Sequence, residues 1–337
     1  MKFDISFFPS GDLRADADLI ASAEAAGFSA AWGGETARNP FLPLTIAASA
    51  SESILLGTQS AVAFPRSPMV TAQIAWDLAR QSNGRFVLGL GAQERAHIEQ
   101  RFSETWTDPV GRMREYIESL RAIWATFQHD ARLRYRGQHY QFRLMSPFFN
   151  PGPNAEPDIP IFLAGANPGL CRLAGETCAG LHAPALHTVN SLREQVLPAI
   201  KAGLAAVGRA RADFALAVPV WVVSGDDAQA IQRAEAEARS RIAFYASAPG
   251  AKRVMTMQGW GGIAEELVAL ARMGQWGEMA ERIPEQMLRE VAIVAAPEEA
   301  LPRIKERYAG LADRICLAWG GLDDSVRVAV ANGLSQV

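Results

Sequence analysis

Apolar and polar positions alternate along the chain in a repeating rhythm of short β-prone runs and longer amphipathic stretches. Phe3–Phe8 is a first strand, and the Ala-rich stretch Arg14–Ala26, closed by Gly27, is a helix. Phe28–Trp32 is a second strand and Pro43–Ser51 a second helix. An unusually long apolar run, Ile54–Phe64, precedes a turn at Pro65–Pro68. From about Met69 to Gln81, Val70, Ile74 and Leu78 fall on one helical face, and Asn83-Gly84 ends that helix. The strand Arg85–Leu90 follows, ending in small and then polar residues, Gly91-Ala92-Gln93-Glu94. Strand, helix and strand joined by so long a crossover predict parallel neighbours.

The rhythm breaks at His97–Phe149. Within that interruption Thr107-Asp108-Pro109 starts a helix whose Met113, Ile117, Leu120, Trp124 and Phe127 form an apolar stripe. Leu133–Phe142 alternates around Gly137 and predicts a small hairpin, and the proline-rich Asn150–Pro160 is loop. Strands are expected again at Ile161–Leu163, Gly180–Ala183, Phe214–Val223 and Arg314–Trp319, with a second interruption at Ala246–Val291. Eight strand candidates separated by helices fit a single (β/α)8 TIM barrel over residues 1–337, with insertions after strands four and seven at about 97–149 and 246–291.

Composition narrows the class. Nearly half of the 337 residues are apolar and the net charge is −3, which argues against a general polyanion binder. The three cysteines, Cys171, Cys178 and Cys316, form no CxxC pair, so neither disulfides nor a structural zinc is expected. No signal peptide and no membrane-spanning run is recognisable, and a cytoplasmic enzyme without a membrane partner is expected.

Candidate chemistry gathers at strand ends, where parallel α/β folds place it. Gly89-Leu90-Gly91 lacks the third glycine and the later acidic residue of a dinucleotide fingerprint. It either lets the strand end tightly or lets a flat ring approach the backbone. Ala164-Gly165-Ala166-Asn167 leads into a helix N-terminus, either a phosphate seat or an ordinary capped turn. Glu35 and Glu94 end strands two and four as a pair of carboxylates, and Gln59-Ser60 is a polar pair inside an apolar strand. Among the histidines, His187 is expected at the mouth, and His182 reads as a core imidazole. Neither HxH nor HExxH occurs, so no metal is expected. Arg132, Arg134, Arg136 and Arg143 read as a solvated hairpin face rather than a nucleic-acid patch.

Several of these stretches resemble the bacterial-luciferase-like monooxygenase superfamily. They are Leu56-Gly57-Thr58, Ala61–Phe64, Arg66-Ser67-Pro68, Ala72-Gln73, the run Ser82–Gly91, Arg112–Tyr116, Phe148–Pro153, Ala174-Gly175-Glu176 and Asp313-Arg314-Ile315. The chain is most similar to the branch using the 8-hydroxy-5-deazaflavin coenzyme F420. The resemblance implies a ring bound at the C-terminal mouth of the barrel, against Gln59, Ser60, Gly91 and Gln93. It implies a phosphate on Gly165, Ala166 and Asn167, and a non-prolyl cis peptide at or beside Gln59–Ser60. A small, apolar organic substrate, a homodimer and catalytic roles for Glu35, Glu94 and His187 are the corresponding expectations. Arg172 is the candidate for the coenzyme's anionic tail, and Trp106, Phe148, Phe149 and Trp260 for apolar pocket walls. Thr36 stands where relatives carry His, and Arg38-Asn39 where they favour His-Asp, so the proton donor stays open. The alternatives are an FMN-dependent monooxygenase fed by a separate reductase, and a non-catalytic flavin-binding barrel.

Overall fold

The structure, a computed structural model, describes residues 1–318 and 321–335. Eight parallel strands close on themselves: β1 (Lys2–Phe7), β2 (Ala30–Gly33), β3 (Leu55–Thr58), β4 (Phe86–Gly91), β5 (Ile161–Ala164), β6 (Gly180–His182), β7 (Ala215–Val223) and β8 (Arg314–Ala318). Each pairs with its sequence neighbour, and Lys2 opposite Arg314 sets the register of the β1–β8 closure. Of the expected strand Arg314–Trp319, Trp319 lies outside the described residues. The alternation of strand and helix read from the apolar pattern thus yields the expected (β/α)8 barrel.

The long apolar run at Ile54–Phe64 is not one strand. It forms β3 and then a two-residue extension, Ala61–Val62, which pairs with Leu90 and Gly91 of β4. Between the two pieces the Gln59–Ser60 peptide is cis, as the resemblance implies.

The apolar-striped helix of the first interruption packs on the barrel, and the bounds of both interruptions differ from expectation. Pro109–His129 is an ordinary barrel helix, because its stripe of Met113, Ile117, Leu120, Trp124 and Phe127 is buried in the main core. Trp124 Nε1 donates to the Ala72 carbonyl (3.1 Å), fixing that helix on Pro68–Gln81. The true additions are the crossing His97–Asp108 and the ribbon that follows His129. The second addition begins earlier, with helix Ala228–Ala246, and builds a core of its own around Ile242, Met255, Leu267 and Met287. It ends in a strand, Ala292–Val294, that pairs with Trp221–Val223 at the top of β7. Three residues between two helices carry too little pattern to be read as a strand.

The barrel interior is a packed layer. Trp32, Val87, Phe162, Ala217 and Cys316 fill it, beside a fully buried ion pair. Arg314 donates to both Asp4 carboxylate oxygens (2.6 and 2.7 Å), and Trp32 Nε1 donates to Asp4 as well (2.9 Å). Burial pushes the Asp4 carboxyl up, and Arg314 pulls it down. Gly89 is required here: a Cβ would run into the Thr58 carbonyl. The Thr58 hydroxyl donates to the Gly89 carbonyl (2.7 Å) and accepts its N–H (3.0 Å), so β3 and β4 touch backbone to side chain.

Removing one partner of a buried pair leaves the other charge uncompensated. Arg314→Met is expected to lower unfolding free energy in urea by ~3 kcal/mol, and Asp4→Asn added to it is expected to restore part of the loss. An unchanged urea midpoint for Arg314→Met would show that the pair contributes nothing.

Candidate active site

The strand tips form a mouth floored by small residues. Ser6, Gln59, Ser60, Ala164, Gly165 and Ala166 are each half-buried there, while Gly34 and Gly91 are buried. Phe8 stands exposed at the lip, its ring against Gly34. The Gln59 N–H donates to the Gly33 carbonyl (2.7 Å), which holds Gln59 at the end of β2. Gly91 lies against the Ser60 hydroxyl, and Gln93 is exposed with φ +60°. A floor without bulky side chains fits a flat ring system approaching the backbone.

Glu35 is expected as a free carboxylate facing that floor; instead it is an anchor. Arg66 donates to both of its oxygens (2.8 Å each), and the Val62 N–H donates to Oε2 (2.7 Å). Arg66 also donates to the Val62 carbonyl (2.7 Å). The Glu35 side chain is 6% exposed and that of Arg66 16%. The carboxylate thus ties the end of β2 to the chain just beyond Gln59–Ser60, and its lone pairs are spent internally. Charge-assisted, bidentate contacts of this kind are the strong ones.

Glu94 sits half-buried at the rim. Its Oε1 accepts the Gly250 N–H (3.1 Å), joining the β4 loop to the tip of the second addition. Since Gly250 is reached by way of β7, that addition spans the mouth from β7 to β4. The side chain of Gln258 donates to Thr188 beyond β6, a second tie of the same cover.

His187 is not a mouth residue. It is 1% exposed, with Nδ1 bonded to the Pro184 carbonyl (3.0 Å) and Nε2 to the Tyr308 hydroxyl (3.1 Å). Burial pushes its pKa down to about 4. His182 is the core imidazole expected, packed on Trp32 (4.7 Å between ring centroids) and Phe162 (5.2 Å), and among the described residues neither ring nitrogen has a hydrogen-bond partner. Burial, with Arg314 adding to it, pushes its pKa down to about 3.

Beside the floor, Asn167 Oδ1 caps helix Pro168–Thr177 by accepting the Gly169 N–H (2.7 Å). The Gly165 N–H lies 3.4 Å from the His182 carbonyl. Arg172, one turn along, is engaged by Glu176 (2.8 Å), which Arg114 also holds. Trp106 packs on Phe64 and Trp260 in the second core, whereas Phe148 and Phe149 project from the outer flank and line no mouth. An open depression of about 460 Å3 lies at the C-terminal end of helix Pro109–His129, between Phe127 and Pro153. That is the face of the strand N-termini, opposite the mouth. Among the described residues, no group of three or more His, Cys, Asp or Glu is placed to hold a metal ion.

The supporting roles of Arg66, Asp4 and Arg314 are not read from the sequence, where Arg66 and Arg314 count only toward the family resemblance. A lone Asp in the apolar first strand and a lone Arg in the last were the available signals, since a buried charge needs a partner.

Comparison with known proteins places this geometry. The family described as luciferase-like monooxygenase matches residues 3–314. The chain belongs to that family. A protein of Mycobacterium tuberculosis described only as uncharacterised is 37% identical over 299 residues, covering 89% of this chain and 88% of that one. The 5,10-methylenetetrahydromethanopterin reductase of Archaeoglobus fulgidus is 29% identical over 318 residues, covering 91% and 90%. The solved coenzyme F420-dependent tetrahydromethanopterin reductase of Methanopyrus kandleri superposes with a TM-score of 0.82 at 20% identity, covering 98% of this chain and 96% of that one. The chain is therefore an enzyme, a luciferase-like oxidoreductase, and the non-catalytic barrel is set aside.

Two tests follow from the side chains themselves. Glu35→Gln is expected to cost about 2 kcal/mol in urea unfolding, because Arg66 loses its counter-charge. Glu35→Gln and Arg66→Met together are expected to cost less than the sum of the two single changes; strict additivity would show that the pair is not coupled. The histidines fix an acid limit. Their folded pKa values lie below the ordinary 6.5, so the unfolded chain takes up protons first. Stability is full above pH 6.5 and falls as the pH drops toward about 4 for His187 and about 3 for His182. The His187 share is ~3 kcal/mol. His182→Phe is expected to fold and to flatten melting temperature against pH below 6; an unchanged profile would exclude His182 as a source of acid lability.

Proposed function

We propose that the enzyme transfers a hydride between coenzyme F420 and a small, apolar organic substrate at the barrel mouth. The observation that carries this is the floor of small, half-buried residues around Gln59 and Ser60, open to a flat ring and closed to bulky chains. When bound, the deazaflavin supplies the hydride carrier. Gln59 and Ser60 back the ring, and Gly91 and Gln93 edge it. The loop Gly165, Ala166 and Asn167 takes the first phosphate at the head of helix Pro168–Thr177, where free N–H groups and the helix dipole favour an anion. The Gly165 N–H already points to His182, so Ala166 and Asn167 form the main seat.

Glu35 acts through Arg66 as a positioning residue, holding the segment behind the ring. Glu94 is the rim carboxylate nearest the cover, and in this reading it borders the substrate. The cover keeps water from the transfer path, which protects a hydride donor. The exposed Phe8 ring at the lip supports an apolar substrate. Names of relatives support the coenzyme choice, since a Mycobacterium tuberculosis protein named as a putative coenzyme F420-dependent oxidoreductase is 29% identical to this chain over 307 residues.

The family's description as monooxygenase supports a second reading, reduced FMN with O2 and a separate reductase. Both cofactors share a tricyclic ring and a first phosphate. Titrating the apo-protein with oxidised F420 and with FMN, followed by fluorescence, separates them. Saturable F420 binding at least tenfold tighter than FMN is expected. Tight FMN binding without F420 binding would overturn the assignment.

A further inference from the structure

The ribbon after helix Pro109–His129 carries a surface that the barrel mouth does not use. Residues 131–155 contain four arginines and no Asp or Glu, in a chain with 36 acidic residues and a net charge of −3. The segment folds as two antiparallel arms. Tyr135 opposite Phe142 and Arg136 opposite Gln141 set one end, and Asn150 Nδ2 donating to Asp130 Oδ1 (3.1 Å) ties the other. Within the first arm the burial alternates. Leu133 is buried and Tyr135 half-buried, while Arg132, Arg134 and Arg136 are exposed. The Tyr135 hydroxyl donates to Glu118 (2.9 Å), and three backbone N–H groups of the turn, at Gln138, His139 and Tyr140, donate to Glu115. The inner side of the ribbon is thus pinned to the helix, and the arginines are left on the outer side.

The second arm adds exposed apolar side chains. Leu144 is 80% exposed, Phe148 89% and Phe149 63%, with Arg143 exposed beside them. Phe148 and Phe149 pack edge to face on each other (5.2 Å between centroids). Side chains this exposed stand off the surface instead of lining a groove. Three protruding apolar groups and four exposed arginines in one segment without an acid match the chemistry of an anionic lipid surface. Rings and Leu enter the acyl boundary while guanidinium groups meet phosphates. A two-fold contact between copies through this same face would set arginine against arginine, which argues against a self-complementary occupant.

We propose that this ribbon docks the enzyme peripherally on a membrane surface bearing anionic phospholipid headgroups. The proposal is independent of the coenzyme. It also departs from the composition-level expectation of no membrane partner, because net charge averages over a molecule whose positive charge is locally segregated. No spanning segment is involved: among the described residues, no helix is long and apolar enough to cross a membrane.

Co-sedimentation of the full chain with vesicles tests it. Vesicles of phosphatidylcholine containing about a third phosphatidylglycerol are expected to bind the protein, and pure phosphatidylcholine vesicles are not. Each basic residue near such a surface contributes roughly fivefold, so Arg132→Glu with Arg134→Glu is expected to weaken binding more than about tenfold. Phe148→Ser with Phe149→Ser is expected to weaken it by a similar factor. All four positions are exposed, and unchanged melting temperatures in both variants would separate lost docking from lost folding. Three outcomes overturn the proposal. One is no binding to the anionic vesicles. Another is equal binding by the Phe double variant. The last is vesicle-independent capture, either a shifted duplex DNA fragment or self-association that the Phe double variant abolishes.

Discussion

The ion pair between Glu35 and Arg66 is the constraint on which the mouth depends. Glu35 ends β2, Arg66 lies in the turn after the β3 extension, and the carboxylate also holds the Val62 N–H. Three links thus converge on one side chain that is 6% exposed. The segment between them contains Gln59 and Ser60, whose side chains have to be presented upward from strands that are otherwise apolar. A backbone that departs from the ladder needs partners for its polar groups, or it forfeits them to burial. Glu35 and Arg66 supply those partners, and their charges are satisfied in the same act.

Below that pair the interior is built on the same principle at greater depth. Asp4 and Arg314 neutralise each other between β1 and β8, the two strands that close the barrel. Trp32 and Phe162 pack around them, and His182 sits neutral among the rings. At the floor of the mouth the Gln59 N–H donates to the Gly33 carbonyl at the end of β2 (2.7 Å). A fixed floor and a separately cored cover divide two requirements. The floor holds a ring rigidly, while the cover, tied at Glu94 and Thr188, is free to differ in its contents without disturbing the barrel core.

Much of this was legible because periodicity reports burial directly. Met113 through Phe127 marks a buried helical face, and the apolar runs at Phe3, Arg85 and Ile161 mark strands buried on both sides. What periodicity does not report is partnership. Glu35 follows a strand end, but its role as an anchor depends on Arg66, thirty-one residues away in sequence. His187 was placed after β6, but whether its ring faces the mouth or Tyr308 is decided by packing across 121 residues. The short strand Ala292–Val294 escaped for a related reason: only its pairing with β7 makes it a strand.

Charge shows the limit of averaging most clearly. A net charge of −3 describes the far field of the molecule, and a far field is screened within about a nanometre at physiological salt. A surface meets its partner inside that distance, so the local sequence of charges governs the contact. Over residues 131–155 that local sequence is entirely positive, and the fold keeps it so by turning Tyr135 and the turn's N–H groups toward Glu118 and Glu115. The acids that might have neutralised the arginines are thereby spent on the inner side. The ribbon is held to the enzyme by the same pattern of contacts that leaves its outer face cationic.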